Sequence, residues 1–116
     1  MKASIHNSEH YVWGGSCDGW KLLQQPGLSV IQERMPAGTQ EIAHYHEQAE
    51  QFFYVLSGEL TLRFQTGDVL LTAQEGVHVP ALRSHTAMNL SAADVHFLVV
   101  SSPSTVGDRV VIEQIG

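Results

Sequence analysis

The sequence predicts an all-β fold, and two observations carry this prediction. No segment of the 116 residues shows a sustained apolar period of 3.6, which an amphipathic helix requires. Short runs of β-branched, aromatic and aliphatic residues follow one another instead, with glycine- or proline-containing turns between them. Many short strands with frequent turns are typical of a β-sandwich or barrel. The length suits one core, so we expect a single domain over residues 1–116.

The first half of the chain is expected to contain an irregular leader followed by strands. Residues 1–19 are polar and rich in turn formers, so we expect them to be irregular. The first two strands end at turns that contain proline and glycine. A histidine-bearing strand follows, and a run of aromatic and β-branched residues returns after a polar turn. The predicted strands cover about 20–23, 28–35, 40–46 and 51–57.

The second half is expected to continue in the same way. Residues 60–65 alternate apolar and polar side chains with a period of two, which indicates a half-buried strand. Thr66, Gly67 and Asp68 form a hairpin turn signal, so the next strand returns beside it. Pro103 ends a later valine-rich run. The predicted strands cover about 60–65, 69–72, 76–80, 84–90, 94–101 and 110–112.

Composition excludes several classes of partner. The net charge is −6, and the six lysines and arginines form no cluster, so nucleic acid and anionic membrane surfaces are not expected to bind. No apolar run reaches the length of a membrane span, and the first ten residues lack the apolar core of a signal peptide. Cys17 is the one cysteine, so an intrachain disulfide is excluded and a reducing, cytoplasmic location is expected.

A pair of histidines, His44 and His46, is the strongest chemical signal in the chain. In an extended strand, residues two apart point to the same face, so the two imidazoles would lie side by side. Imidazoles placed in this way form half of a metal site. The pattern is short, and two surface histidines on an edge strand would produce it equally well. Its context in the rest of the chain therefore decides how it is interpreted.

That context resembles the first conserved motif of the cupin superfamily, G-x5-H-x-H-x3,4-E-x6-G. The matching residues, at the motif spacing, are Gly38, His44, His46, Gln51 and Gly58. One departure concerns the chemistry, because Gln51 stands where the motif has glutamate. An amide brings no negative charge, so an ion beside it would keep its full charge and bind more weakly than beside a carboxylate.

A second stretch resembles the second cupin motif, G-x5-P-x-G-x2-H-x3-N. Pro80, His85 and Asn89 match it, whereas Gln74 and Leu82 stand at its two glycine positions. These two departures concern loop conformation, because residues other than glycine resist a positive φ. Both motifs lie in order within residues 28–101, so the chain is identified as a small single-domain member of the superfamily. The resemblance implies a double-stranded β-helix, or jelly-roll barrel.

The resemblance also implies a metal site. In the cupins that bind metal, the histidines and the glutamate of the motifs hold one divalent transition ion, which is Fe, Mn, Ni, Cu or Zn where imidazole dominates. Carried over by position, the ligands would be His44, His46, Gln51 and His85. Some cupins act without metal, so a metal-free pocket is the alternative to this site.

Glu50 is an alternative to Gln51, because the motif allows three or four residues before its glutamate. Neighbouring residues of a regular strand face opposite sides, so the two side chains cannot both point into the barrel. If Gln51 faces inwards, Glu50, Phe52 and Tyr54 face outwards, and only a bulge would reverse this. We favour Gln51 as the ligand. The outward aromatic face would then need cover from an N-terminal strand or from a second subunit, and a homodimer is expected.

Two functions follow from this interpretation. The first is a metal-dependent enzyme for a small molecule, of the dioxygenase, isomerase or lyase class, in which the ion keeps open positions for substrate. The second is a non-catalytic module that binds a small ligand. The sequence identifies no general base beyond the ligands. Arg34 and Arg83 are candidates for binding a substrate carboxylate if they face inwards.

Overall fold

The computed structural model describes residues 2–112, which form strands joined by turns and loops. The strands are β1 (Glu9–Trp13), β2 (Cys17–Gln25), β3 (Leu28–Met35), β4 (His44–His46), β5 (Glu50–Ser57), β6 (Leu60–Phe64), β7 (Gly67–Leu71), β8 (Gly76–Val79), β9 (His85–Met88), β10 (Val95–Ser102) and β11 (Arg109–Val111). Within the described part of the chain, no helix is long and apolar enough to cross a membrane.

The strands form two antiparallel sheets that face each other. One has the order β1-β2-β3-β10-β5-β8 and the other the order β11-β4-β9-β6-β7. Neighbours in each sheet are often distant in sequence; β3 and β5, for instance, flank β10. Crossing between two sheets in this way is the topology of a jelly roll. The all-β, jelly-roll class expected from the sequence is confirmed.

The core lies between the two sheets and follows the period-two pattern of the strands. Val55 and Phe97 point inwards from one sheet, and Leu60 and Leu62 point inwards from the other, each with no measurable exposure. Leu60 and Leu62 belong to the run whose alternation predicted a half-buried strand. The apolar contacts between these faces provide the main stabilisation of the barrel.

The leader is the part of the secondary structure that the sequence interpretation misses. Residues 9–13 form β1, and β2 begins at Cys17 rather than at residue 20. A turn at Gly14 and Gly15 joins them, with φ values of 59° and 84° that glycine adopts without strain. The expectation of an irregular segment over residues 1–19 is therefore wrong for residues 9–13 and 17–19.

The loop positions of the cupin motifs have left-handed backbones whether or not they carry glycine. Gly58 has a φ of 85°, and a Cβ atom there would lie 2.4 Å from the carbonyl oxygen of Asp94. Gln74 and Leu82 stand where the second motif has glycine, and they still adopt φ values of 67° and 70°. The loops therefore keep the left-handed conformation and accept strain of about 1–2 kcal/mol at each of these two residues.

Candidate metal centre

Three histidines from neighbouring strands meet inside the barrel. His44 and His46 lie on β4, and His85 lies opposite His44 on the adjacent strand β9. Their ring centroids are 4.6 to 6.0 Å apart, and one nitrogen of each ring lies within 4.8 Å of the others. Metal–nitrogen bonds of about 2.1 Å place ligand nitrogens about 3–4 Å apart, so small side-chain rotations would bring all three to one ion.

Hydrogen bonds orient two of these rings. Nδ1 of His44 lies 2.8 Å from the carbonyl oxygen of Ile42, and Nδ1 of His85 lies 2.9 Å from that of Arg83. A carbonyl oxygen only accepts, so both Nδ1 atoms donate and both Nε2 atoms carry a free lone pair. Metal-binding histidines are commonly oriented in this manner, by a backbone carbonyl that accepts a hydrogen bond from the other ring nitrogen.

Several polar atoms of the cluster are buried without a partner in the described structure. They are Nδ1 of His46, Nε2 of His85 and Oε1 of Gln51. A buried polar atom without a hydrogen bond costs about 1–3 kcal/mol, so three such atoms on neighbouring residues call for an explanation. A cation would satisfy all three, because each is a lone-pair donor. The side chains present therefore fit a bound metal ion.

The histidines are also in the protonation state that a metal requires. Burial, opposed by the hydrogen bond to Ile42, lowers the pKa of His44 to about 3. Burial also lowers the pKa values of His46 and His85. All three rings are consequently neutral near pH 7, and a neutral imidazole is the form that binds a divalent transition ion.

Gln51 faces this cluster and Glu50 does not. Gln51 is 6% exposed on β5 and lines the same cavity as His44 and His46; its Nε2 donates to Oγ of Ser101 over 3.1 Å, and its Oε1 is buried without a partner. Glu50 points outwards and pairs with His78 at 2.9 Å, with 64% of its side chain exposed. The regular period of β5 therefore holds through this turn, as the sequence interpretation favoured.

A carboxylate from the last strand region holds the turn between His46 and Gln51. Asp108 accepts hydrogen bonds from the backbone N–H groups of Glu47, Gln48 and Ala49 at distances from 2.9 to 3.1 Å. These bonds, with the one from Ala49 first, lower the pKa of Asp108, so it is a carboxylate at neutral pH. The turn between the two predicted ligands is thereby clamped to β11.

The residues of the second motif have different tasks. The N–H of Leu82 donates to the carbonyl oxygen of His46 over 2.7 Å, which ties the loop before His85 to β4. Asn89 is fully buried and its Nδ2 donates to the carbonyl oxygens of Met35 and Ala93. Asn89 therefore fastens the end of β9 and lies outside the histidine cluster, whereas His85 carries the chemistry.

A cavity of about 210 Å³ opens from the cluster, and its other walls come from residues that the sequence interpretation did not select. Tyr11 and Trp13 reach it from β1, Glu33 from β3, Glu41 from the loop before β4, and Arg109 from β11. Tyr11 and Trp13 belong to the segment expected to be an irregular leader. The alternating run Ile31–Glu33–Met35 would have placed Glu33 on an inward face had it been followed residue by residue.

The two arginines proposed for a substrate carboxylate are absent from this cavity. Arg34 pairs with Asp18 and Asp94 on the outer face of the first sheet. Arg83 lies over the ring of Phe64, 3.9 Å from its centroid, and also faces away. The sequence alternation of β3 explains the first case, because Glu33 faces inwards and its neighbour must then face outwards.

Two carboxyl groups in the cavity have raised pKa values. Burial and the nearby Glu41 raise the pKa of Glu33 to about 8, against the opposing effect of Arg109. Burial raises the pKa of Glu41 to about 7, although its Oε1 accepts a 2.8 Å hydrogen bond from the N–H of Ala87. Perturbed carboxyl groups inside a cavity are typical of functional sites.

Comparison with known proteins agrees with this geometry. Residues 31–101 match the family described as "Cupin domain". A search of curated proteins finds no match. Solved structures with a similar fold include a sugar phosphate isomerase of the cupin superfamily from Silicibacter pomeroyi, at 18% identity, covering 100% of this chain and 94% of that one, with a TM-score of 0.79.

Two further structures are similar over most of their length. The polyketide cyclase RemF from Streptomyces resistomycificus has 17% identity and a TM-score of 0.83, covering 99% of this chain and 87% of its own. KdgF from Halomonas sp. has 18% identity and a TM-score of 0.81, covering 90% of this chain and 94% of its own. Identities this low show a shared fold only. Together with the match over residues 31–101 and both histidine motifs inside a jelly roll, they lead to one conclusion: the chain belongs to the cupin family.

Proposed function

We propose that the protein is a metal-dependent enzyme that acts on a small molecule in the barrel cavity. The observation that carries this proposal is the convergence of buried, neutral lone-pair donors without partners, on His46, His85 and Gln51. His44 completes the set with its free Nε2. The ion would be one divalent transition metal, since three imidazoles and an amide oxygen suit Fe, Mn, Ni, Cu and Zn.

The ion, when bound, would supply a Lewis acid that polarises a substrate oxygen. The remaining tasks belong to the protein. Trp13 and Tyr11 cover the cavity on the side of β1, which limits access of water. Arg109 presents a guanidinium to the same space, and among residues 2–112 it makes no ion pair within 4 Å. It is therefore available to a carboxylate or phosphate of the substrate.

The size of the cavity limits the substrate. Its volume of about 210 Å³ is below the range of roughly 300–1,000 Å³ for sites that hold drug-sized ligands. A small molecule fits this space, whereas a polymer would reach it only with one end.

We favour an enzyme over a binding module. Two proteins that share this barrel are named as enzymes, a sugar phosphate isomerase and a polyketide cyclase. We place this chain in the isomerase or lyase class rather than the dioxygenase class. The reason is that Glu33 and Glu41 place two carboxyl groups on the cavity wall, and proton transfer needs such groups.

A non-catalytic binding module is the second candidate function, and Gln51 is the observation that favours it. A glutamate at this position would hold the ion more tightly and would also accept a proton beside it, and the amide does neither. A binding module would be stabilised by its ligand without converting it. Product formation by the metal-loaded protein distinguishes the two candidates.

Metal analysis of protein purified without an affinity tag tests the proposed site. We expect close to one transition ion per chain in the wild-type protein, and its loss in His85→Ala. His6→Ala is the matched control, because His6 is exposed and does not line the cavity. Failure of Fe, Mn, Ni, Cu and Zn to bind after reconstitution would refute the proposal.

The outer face of β5 supports a homodimer. Phe52 and Leu56 are 42% and 40% exposed, and the ring of Phe52 stacks with that of Tyr54 at a centroid distance of 6.3 Å. Apolar side chains grouped in this way favour cover by a second subunit. Light scattering should report a dimer for the wild-type protein and a monomer for Phe52→Glu. A wild-type monomer would contradict this assembly.

We also propose a cytoplasmic location. Cys17 is a buried free thiol, which fits a reducing compartment. Fractionation of cells that express the untagged protein would test this, and recovery from the periplasm or the medium would contradict it.

A further inference from the structure

We propose that Glu33 is a catalytic residue that moves a proton to and from an α-hydroxycarbonyl substrate in the cavity. The inference rests on the proposed function, because it needs a substrate held between the histidine cluster and β3. It adds the proton-transfer group that the sequence alone does not identify. Glu33 stands on the opposite sheet from His44 and His85, so a bound molecule would touch both walls.

The structure prepares the space around Glu33 with a glycine. Tyr11, Gly19 and Glu33 lie side by side across β1, β2 and β3. A Cβ atom on Gly19 would lie 2.2 Å from Cζ of Tyr11 and 2.5 Å from its hydroxyl oxygen, so the phenol ring crosses over β2 at this point. The ring thus extends from the edge strand towards Glu33. Any larger residue at position 19 would push it away.

The carboxyl group of Glu33 is free for a ligand. Within residues 2–112 it makes no hydrogen bond and no ion pair, although it is partly buried. Glu41 differs, because the N–H of Ala87 holds its Oε1 at 2.8 Å. Polar groups in protein interiors are normally paired, so an unpaired carboxyl on a cavity wall is a group that a substrate would satisfy.

Burial, more than the charged and titratable groups around it, keeps Glu33 protonated near neutral pH. β2 and β10 contribute only Gly19 and Phe97 beside it. Burial, followed by the charge of Glu41, raises its pKa to about 8. The groups that face this space from the other elements are Tyr11 of β1, Glu41 of the loop before β4, His44 and His46 of β4, and Arg109 of β11. A group with this pKa exchanges protons in both directions near pH 7.

The reaction that suits this group is an aldose–ketose type isomerisation. The Glu33 carboxylate takes a proton from the carbon next to the substrate carbonyl; the C–H electron pair becomes a carbon–carbon double bond and the carbonyl π pair moves onto its oxygen, which gives an enediolate. The neutral acid then returns the proton to the neighbouring carbon, while the proton of the substrate hydroxyl passes to the former carbonyl oxygen and the hydroxyl oxygen becomes the new carbonyl. Protons and electrons balance without an oxidant, a reductant or a leaving group.

Deuterium exchange tests the proposal without a known natural substrate. Metal-loaded protein is incubated in D₂O with dihydroxyacetone or dihydroxyacetone phosphate, and proton NMR follows loss of the C–H signal. We expect the wild-type protein to catalyse exchange, with a rate that rises as the Glu33 carboxyl ionises. Glu33→Gln should lower the rate by about 100-fold or more and abolish this pH dependence, while the metal content stays unchanged.

Two further variants make the result specific. Glu59→Gln removes one exposed carboxylate at the turn after β5 and should leave exchange unchanged. Glu33→Asp keeps the acid but withdraws it by one methylene, so exchange should fall roughly 10–100-fold while its pH dependence remains. The aspartate variant also serves if the glutamine variant does not fold.

Each result separates this inference from the proposed function. A wild-type protein without bound metal refutes the proposed function, whatever Glu33 does. Metal-loaded wild-type protein that exchanges neither compound refutes the substrate class. Full exchange by metal-loaded Glu33→Gln refutes the role of Glu33 and leaves the metal site standing.

Discussion

Replacing Gln51 by glutamate should lower the stability of the metal-free protein and increase the stabilisation that bound metal provides. Gln51 is 6% exposed, its Nε2 donates to Ser101 over 3.1 Å, and its Oε1 has no partner. In the metal-free protein, Gln51→Glu buries a carboxylate with the Ser101 hydroxyl as one available donor. In the metal-loaded protein, the same carboxylate would lie against a divalent ion.

The loss of stability in the metal-free variant follows from the burial of the side chain at position 51. A poorly satisfied buried polar group costs about 1–3 kcal/mol, and a charged one lies towards the upper end. With an unfolding entropy of about 2.1 cal/mol/K per residue over 116 residues, one kcal/mol corresponds to about 4 °C in Tm. The metal-free Gln51→Glu protein should therefore melt about 4–12 °C below the wild-type protein.

The tighter metal binding of the variant follows from the negative charge of the new carboxylate. A unit charge about 2.1 Å from a divalent ion gains on the order of 15 kcal/mol of Coulomb energy at an effective dielectric constant of about 20, and desolvation offsets most of it. We take the remainder as a 10- to 100-fold tighter Kd. At metal concentrations of 100 times the wild-type Kd, binding stabilises the wild-type protein by about 2.7 kcal/mol and the variant by about 4.1–5.4 kcal/mol. The metal-induced rise in Tm should be about 11 °C and about 16–22 °C, respectively.

Differential scanning calorimetry with and without Ni²⁺, Mn²⁺ or Zn²⁺ measures both effects. Gln65→Glu is the matched control, because it makes the same charge change at an exposed turn and should alter neither Tm. A Gln51→Glu protein with the wild-type Tm in both states would show that Oε1 of Gln51 does not face the ion. A higher metal-free Tm would refute the burial argument.

Three further predictions concern the loops and Glu33. Gly58→Ala should destabilise the protein by about 2–5 kcal/mol in urea unfolding, because a left-handed φ and a 2.4 Å approach of the new Cβ to Asp94 act together. Gly38→Ala is the control: its φ is 78° but the space around it is open, so it should cost only about 1–2 kcal/mol. Equal costs for the two variants would contradict this reasoning. Leu82→Gly should be neutral or stabilise the protein by up to about 1 kcal/mol. Glycine removes the strain at φ 70°, and the greater entropy of the unfolded chain partly offsets that gain. A clear loss of stability would contradict a strained backbone at this position. The pKa of Glu33 is raised from its usual value near 4.5 to about 8, so between these values the native state binds a proton that the unfolded state has lost. The stability that this proton provides to the wild-type protein is lost as pH rises to about 8. Glu33→Gln should therefore gain stability relative to wild type from pH 5 to pH 8, and an unchanged difference in unfolding free energy at all pH values would refute the shift.

The strand pattern could be predicted from the sequence because its causes are local. Leu60 and Leu62 alternate with other residues along β6, and the turn at Gly58 precedes them, so both the strand and its buried face follow from neighbouring residues. β1 was not predicted because polar residues surround Tyr11 and Val12 in the sequence, so the segment shows no clear alternation of apolar and polar residues. Pairing with β2, rather than propensity, makes this segment a strand.

The sequence by itself determined the barrel and the meeting of His44, His46 and His85, because two spaced motifs carry both the strand period and the turns that bring the strands together. Only the tertiary structure decided what faces the histidines. Glu33 and Arg109 come from distant parts of the chain. The alternation along a strand predicts which side chains share one face of the sheet. The order of strands in the two packed sheets determines which of the inward side chains line one cavity.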